Sequence, residues 1–146
     1  MSFTEESYEN AVVGLMDALG YEHVYGPDVE RDYHVPFYEE QLVESLTALN
    51  RSMPGAAIQE ALMKLKSIDT GSLVQRNALF MDYLQHGVEV SYHDGKEQRN
   101  GLVYLVDFDH TERNDFKVVN QWTYVERSEK RADVVVFING LPLVVM

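Results

Sequence analysis

Between residues 4 and 19, Val12, Leu15, Met16 and Leu19 recur at i, i+3, i+4 and i+7, the spacing that collects side chains on one stripe of a helix. Thr4 stands where an N-cap belongs and Gly20 where a helix stops, so the pattern predicts a helix over 4–19. A stretch rich in Pro, Asp and Tyr, 21–36, follows without periodicity. Three shorter helical patterns come next: Leu42/Val43/Leu46/Leu49, then Ile58/Ala61/Leu62/Leu65 after Pro54, then Leu73/Phe80/Met81/Leu84 up to Gly87. From Val88 the period shortens toward two. Tyr92-His93-Asp94-Gly95 reads as a turn, and Asn100–Phe108, Phe116–Val125 and Asp133–Ile138 read as strands. The run Val134-Val135-Val136-Phe137-Ile138 lacks polar alternation, which predicts burial on both faces. Asn139-Gly140 turns the chain, and Leu141–Met146 begins another buried strand in which the sequence stops, as expected of a piece of a larger protein. The expected fold class is α/β, one domain over 1–146. A mixed β-sheet of four or five strands from the C-terminal half is flanked by the first helix and the intervening helical segment.

Composition narrows the functional classes. The 146 residues hold 12 Lys and Arg against 24 Asp and Glu, a formal net charge of −12. Such a chain repels a phosphate backbone unless a local basic patch or a metal ion intervenes, so autonomous DNA binding is disfavoured. With 45% hydrophobic residues, a chain of this length can bury roughly 70% of its unfolded surface in one core. No apolar run approaches the ~18 residues of a membrane span, and the opening residues carry no export signal; a cytoplasmic protein with no membrane partner is expected. Zero cysteines exclude disulfides, thiolate metal sites and cysteine nucleophiles.

Phosphate-binding glycine loops and paired-histidine metal motifs are absent. His23, His34, His86, His93 and His110 are scattered. Asp107 and Asp109, if on a strand, lie on one face roughly 7 Å apart and could share a hard cation with His110. The stronger reading is that 110–115 is a polar turn after solvated acids. Glu39, Glu40 and Glu44 read as a solvated helix face. Asp133, heading a strand buried on both faces, sits where a sheet edge opens to a cleft, although composition alone favours a solvated acid.

The tail weighs differently. Arg131-Ala132-Asp133, the apolar strand, Asn139-Gly140-Leu141-Pro142-Leu143 and the next apolar strand resemble the nuclease motif of the restriction (R) subunit of type I restriction-modification enzymes, which reads R-P-D, strand, N-G-L-P-L, strand, E-x-K. Asn114-Asp115-Phe116-Lys117-Val118-Val119-Asn120-Gln121 is similar to the N-D-F-x-V-x-N-Q stretch ahead of it, and Glu9 followed by Gly20-Tyr21 is similar to the family's first helix. Ala132 replaces the usual proline and removes no ligand. Between 24 and 86 the likeness is diffuse.

The resemblance implies a PD-(D/E)xK nuclease fold in which Asp133 and Glu9 are catalytic and hold Mg2+. Glu9 lies about 60° from Val12 on the helical wheel and beside Met16, so it can point inward; otherwise it is an acid in the helix's early turns, interacting with the dipole. The family's E-x-K would begin just after Met146, so the chain as given is expected to be inactive. The parent is implied to be an endonuclease of unmethylated double-stranded DNA, with ATP-driven motor domains on the same chain and with modification and specificity subunits as partners.

Geometry adds a condition. A plain two-residue Asn139-Gly140 loop pairs Asp133 with Met146 and turns the next residue to the wrong face. A slip of one residue, by a three-residue loop or a bulge that Gly140 could supply and Pro142 tolerate, is therefore expected, and a regular two-residue turn would count against the metal-site reading. Two rival readings stay open: a non-catalytic docking module on a nuclease-like scaffold, and a metal-dependent hydrolase built on Asp107 and Asp109.

Overall fold

The computed structural model describes residues 4–146. Among them the elements run α1 (Glu5–Ala18), β1 (Glu22–Tyr25), α2 (Glu39–Leu49), α3 (Gly55–Lys66), α4 (Leu73–His86), β2 (Val88–Asp94), β3 (Glu97–Val103), β4 (Phe116–Val125), β5 (Glu129–Ile138) and β6 (Leu141–Val145). Short 3-10 turns occupy Gly26–Asp28 and Thr111–Arg113. The α/β class and the mixed sheet expected from the sequence are present. The described residues form two compact units, one running up to Glu40 and resuming over Asp115–Met146, the other being Gln41–Asn114.

The first unit is built on a sheet ordered β1-β4-β5-β6, with β1 parallel to β4 and the other pairs antiparallel. Two expectations are corrected here. The 21–36 stretch contributes β1, whose four residues are too few to show a period. Only three strands of this sheet come from the C-terminal half, because β2 and β3 pair with each other in the second unit.

Thr4 caps α1 as the sequence predicts, in a reciprocal box with Ser7. The packed stripe is shifted around the helix: Val13 is buried against Val118 and Val134, joined by Val12, Met16 and Tyr21, while Leu15 and Leu19 are 62% and 66% exposed. The predicted and observed stripes share Val12 and Met16, and docking on the sheet selects the one containing Val13. Glu9 lies one turn earlier on that same stripe, at i−3 and i−4 of Val12 and Val13. The opposite face of the sheet buries Val119, Trp122, Val135 and Phe137, with Val24, Tyr38 and Ala132 against them. Trp122 meets Phe137 edge-on at 4.6 Å between ring centroids. The Arg31 guanidinium stacks 3.4 Å from the Trp122 ring and donates to the Thr123 carbonyl, bracing β4.

In the second unit α3 buries Ala57, Ile58, Ala61, Leu62 and Leu65, and Val88, Val90 and Val103 are buried on the β2–β3 hairpin. The hairpin turns at Gly95-Lys96, where Asp94 pairs with Glu97. The predicted strand Asn100–Phe108 therefore begins earlier and stops at Val103. It stops because Asn50 takes over the Tyr104 backbone: its Nδ2 donates to the Tyr104 carbonyl at 2.9 Å and its Oδ1 accepts from the Tyr104 N–H at 2.8 Å. Helix α4 is capped by Ser72 and Gln75 but buries no residue; Leu73 and Met81 of its apolar pattern are exposed. Among the described residues, no helix is long and apolar enough to cross a membrane.

Candidate functional site

Glu9 is half-buried and its carboxylate is held by two side-chain amides of β4. Asn120 Nδ2 donates to Glu9 Oε1 at 3.0 Å, and Gln121 Nε2 donates to Oε1 at 3.0 Å and Oε2 at 2.9 Å. Asn120 Oδ1 lies 2.8 Å from His23 Nε2 on β1. A carbonyl oxygen only accepts, so that ring nitrogen carries the proton. Neighbouring residues of a regular strand point to opposite faces, and two in a row reach one carboxylate here because Gln121 adopts φ 57. The sequence flagged the Asn120-Gln121 pair only through the family motif, and His23 only as one of five scattered histidines.

Asp133 is not at the head of its strand, as the pattern suggested, but in the fifth position of β5. The ladder steps from Asn120↔Val134 to Trp122↔Ala132, so Asp133 stands across from the kinked Gln121. Asp133 and Glu9 line one open cleft of about 450 Å3, together with Thr4, Glu5, Tyr8, Val12, Val134 and Met146. The structure thus brings together the two site residues singled out in the sequence, from elements 111 or more residues apart. Their donors are hard carboxylate oxygens, the ligand type Mg2+ prefers. Two such ligands fit the ion's chemistry without completing its shell, and among the described residues no three His, Cys, Asp or Glu side chains gather to hold a metal.

The slip expected in the β5–β6 hairpin is present, but not at the turn. Asn139 (φ 54) and Gly140 (φ 82) make a regular two-residue turn that pairs Ile138 with Leu141 and Phe137 with Pro142. The register then jumps, pairing Val136 with Val144 and Val135 with Val145. Leu143 is the extra residue of a β-bulge. Met146 N–H consequently donates to the Val134 carbonyl at 2.9 Å, one step away from Asp133. Pro142 is tolerated because β6 is an edge strand.

Other motif residues are structural. Asn139 is fully buried; its Oδ1 accepts from Asp115 N–H at 2.7 Å and its own N–H donates to the Asp115 carbonyl at 2.9 Å. Buried Lys117 bonds both Asp115 oxygens at 2.7 and 2.8 Å and lies 3.2 Å from Glu22. Burial alone would lower its pKa, but the hydrogen bonds and charges of Asp115 and Glu22 outweigh burial and hold it above the ordinary lysine value. Asp107 and Asp109 lie beyond the end of β3, so they do not share a strand face. Asp107 instead caps a turn, accepting from His110 N–H at 2.8 Å and Asp109 N–H at 3.1 Å. The His110 N–H bond, against some desolvation and with help from Asp109, His110 and Arg113, lowers the Asp107 pKa. A depressed carboxyl stabilises above its unfolded pKa and loses that contribution as pH falls through the folded one. Thermal melts of Asp107→Ala are therefore expected to fall below the parent near neutrality and to converge with it in strong acid; a constant gap at all pH values would contradict this.

His34 pairs with Asp32 and His86 with Asp82 on exposed surfaces. Glu40 and Glu44 are exposed, as the solvated-face reading of α2 has it, whereas Glu39 is half-buried.

Comparison with known proteins points the same way. A model of the family described as "Type I restriction enzyme R protein N terminus" matches residues 2–146. The type I restriction enzyme HindI endonuclease subunit of Haemophilus influenzae is 34% identical over 151 residues, covering 97% of this chain and 14% of that protein. A Methanocaldococcus jannaschii protein named for the type I restriction enzyme MjaIXP endonuclease subunit is 29% identical over 147 residues, covering 94% of this chain and 14% of that protein. The chain therefore spans about one seventh of the length of these curated relatives.

Proposed function

Because this chain belongs to the family of type I restriction enzyme R protein N termini, we propose that it forms the nuclease region of an endonuclease subunit, with Asp133 and Glu9 as Mg2+ ligands in a PD-(D/E)xK-type site. The observation that carries this reading is the cleft that brings Glu9 and Asp133 together beside a bulged hairpin. Continuing the register past Val135↔Val145 puts the position after Met146 opposite Asp133. Opposed residues of an antiparallel pair present their side chains on the same face, so an acid there would meet the same ion. Such an ion, when bound, activates water and stabilises charge on the phosphate oxygens during phosphodiester hydrolysis. Glu9 and Asp133 supply its negatively charged ligands, and the amides of Asn120 and Gln121 keep Glu9 from swinging out of the cleft.

By this reading the whole protein is a cytoplasmic motor-nuclease. ATP-driven domains on the same polypeptide and modification and specificity subunits hold unmethylated double-stranded DNA. That division of labour suits a region of net charge −12, which needs a cation to approach phosphate.

The test is Mg2+-dependent DNA cleavage by the R polypeptide that carries this region, in complex with its modification and specificity subunits. Asp133→Ala is expected to abolish cleavage while ATP hydrolysis persists. Unchanged cleavage would favour the docking-module reading, for which the exposed Leu73, Val74, Leu79 and Met81 of α4 speak. Loss in Asp107→Asn but not in Asp133→Asn would favour a site at Asp107.

A further inference from the structure

We propose that Asn120 and Gln121 are positioning residues, a neutral two-amide clamp that presents the Glu9 carboxylate to a divalent cation, with His23 and Gly26 holding the clamp in shape. The proposal rests on Glu9 being a cation ligand, and adds which residues make it one.

The donors are the first observation. Three N–H contacts reach the carboxylate, all from uncharged amides. An ammonium or guanidinium in the same place would orient Glu9 as well, but would cancel the charge a cation needs. A carboxylate oxygen has room for two partners, and Oε2 is given one, leaving a lone pair for the ion.

The backbone is the second. A non-glycine residue at positive φ is strained by of order 1 kcal/mol, and such strain persists where the surroundings impose it. Gln121 has φ 57, and without that kink Asn120 and Gln121 would face opposite sides of β4. The surroundings that impose it are visible. Gly26 crosses so close that a Cβ there would lie 2.4 Å from the Gln121 carbonyl oxygen and 2.9 Å from that of Asn120. The Glu9 contact takes Asn120 Nδ2, which leaves Oδ1 to the 2.8 Å contact with His23 Nε2. The strained residue stands across from Asp133, which lines the cleft with Glu9 and Glu5.

Gln121→Gly separates clamp from scaffold, because glycine adopts the kink freely but has no amide. The probe is Mn2+, titrated into the 15N-labelled chain continued past Met146 far enough to include the position across from Asp133, while paramagnetic broadening is followed around Glu9 and Asp133, with a thermal melt of each variant. For Gln121→Gly the melting temperature is expected to hold or rise and Mn2+ affinity to fall by about tenfold or more, the usual cost of losing an outer-shell partner. Gln121→Asn, one methylene too short to reach Glu9, is expected to lose affinity likewise, and it carries the test if the glycine variant does not fold. Affinity lost in Glu9→Gln but kept in Gln121→Gly and Gln121→Asn overturns the clamp alone. Absence of localised broadening in the parent, or broadening that survives both Glu9→Gln and Asp133→Asn, overturns the cation site and the clamp with it.

Discussion

Inserting one alanine between Val144 and Val145 is expected to abolish the cleavage proposed for the R polypeptide while leaving this region folded. The reason is register. With Leu143 bulged out, Val144 faces Val136 and Val145 faces Val135, and the same register carried on would set the position after Met146 across from Asp133. One more residue puts Met146 opposite Asp133 and turns the following side chain to the other face, since the side-chain period of a strand is two. A catalytic group misplaced by even 1 Å can cost about 100-fold, and a flipped face moves it much further. The fold should tolerate the change. Val144 and Val145 are 48% and 69% exposed at the edge of the sheet, where a perturbation costs about 1 kcal/mol or less. Deleting Leu143 is the informative partner experiment. It removes the bulge but keeps Val144 opposite Val136, so cleavage should survive in part. Cleavage that withstands the insertion, in a protein whose melt is unchanged, would show that register across β5 and β6 does not assemble the site.

Gly26→Ala should cost about 3 kcal/mol, the upper part of the usual range for overpacking, and lower the melting temperature by about 10 °C. Both sides of the clash are backbone. The new Cβ would lie 2.4 Å from the Gln121 carbonyl oxygen, and no rotamer change relieves that contact. Either the turn at Gly26–Asp28 or the kink in β4 must move, and moving the kink takes the Gln121 amide away from Glu9. Cation affinity is therefore expected to drop along with stability. A double-mutant cycle with Gln121→Gly is the sharper measurement, because a freer backbone at 121 should absorb part of the clash and make the two changes less than additive. Strict additivity, or a Gly26→Ala variant that melts with the parent, would show that Gly26 does not hold the kink.

Much of this molecule was legible without coordinates where its determinants are local. The helices announced themselves through 3.6-residue periodicity and, for α1, through the Thr4 cap, whose hydrogen bonds close within three residues. Asn139-Gly140 was readable as a turn because both positions need positive φ, which that pair tolerates best. Asp133 and Glu9 came from the motif, not from periodicity; composition alone made both of them ordinary solvated acids. The single stripe Val12/Leu15/Met16/Leu19 misled because a helix carries overlapping stripes and only its neighbour chooses between them. Here Val118 and Val134 chose the stripe with Val13, which brings Glu9 inward.

Local patterns along the chain carry the α/β class, the helices and the hairpin turn, whereas Asp133 and Glu9 were reached only through the family motif. Tertiary structure alone decided that β1 joins the sheet, that Leu143 bulges, that Asp107 caps a turn, and that Asn120 and Gln121 converge on Glu9. The difference is one of range. A cap or a tight turn is settled by atoms a few residues apart, whereas the clamp on Glu9 joins side chains 111 and 112 positions away along the chain. Its kink lies where Gly26 passes too close to the same two peptide units to leave room for a Cβ, a contact that no local pattern of residues encodes.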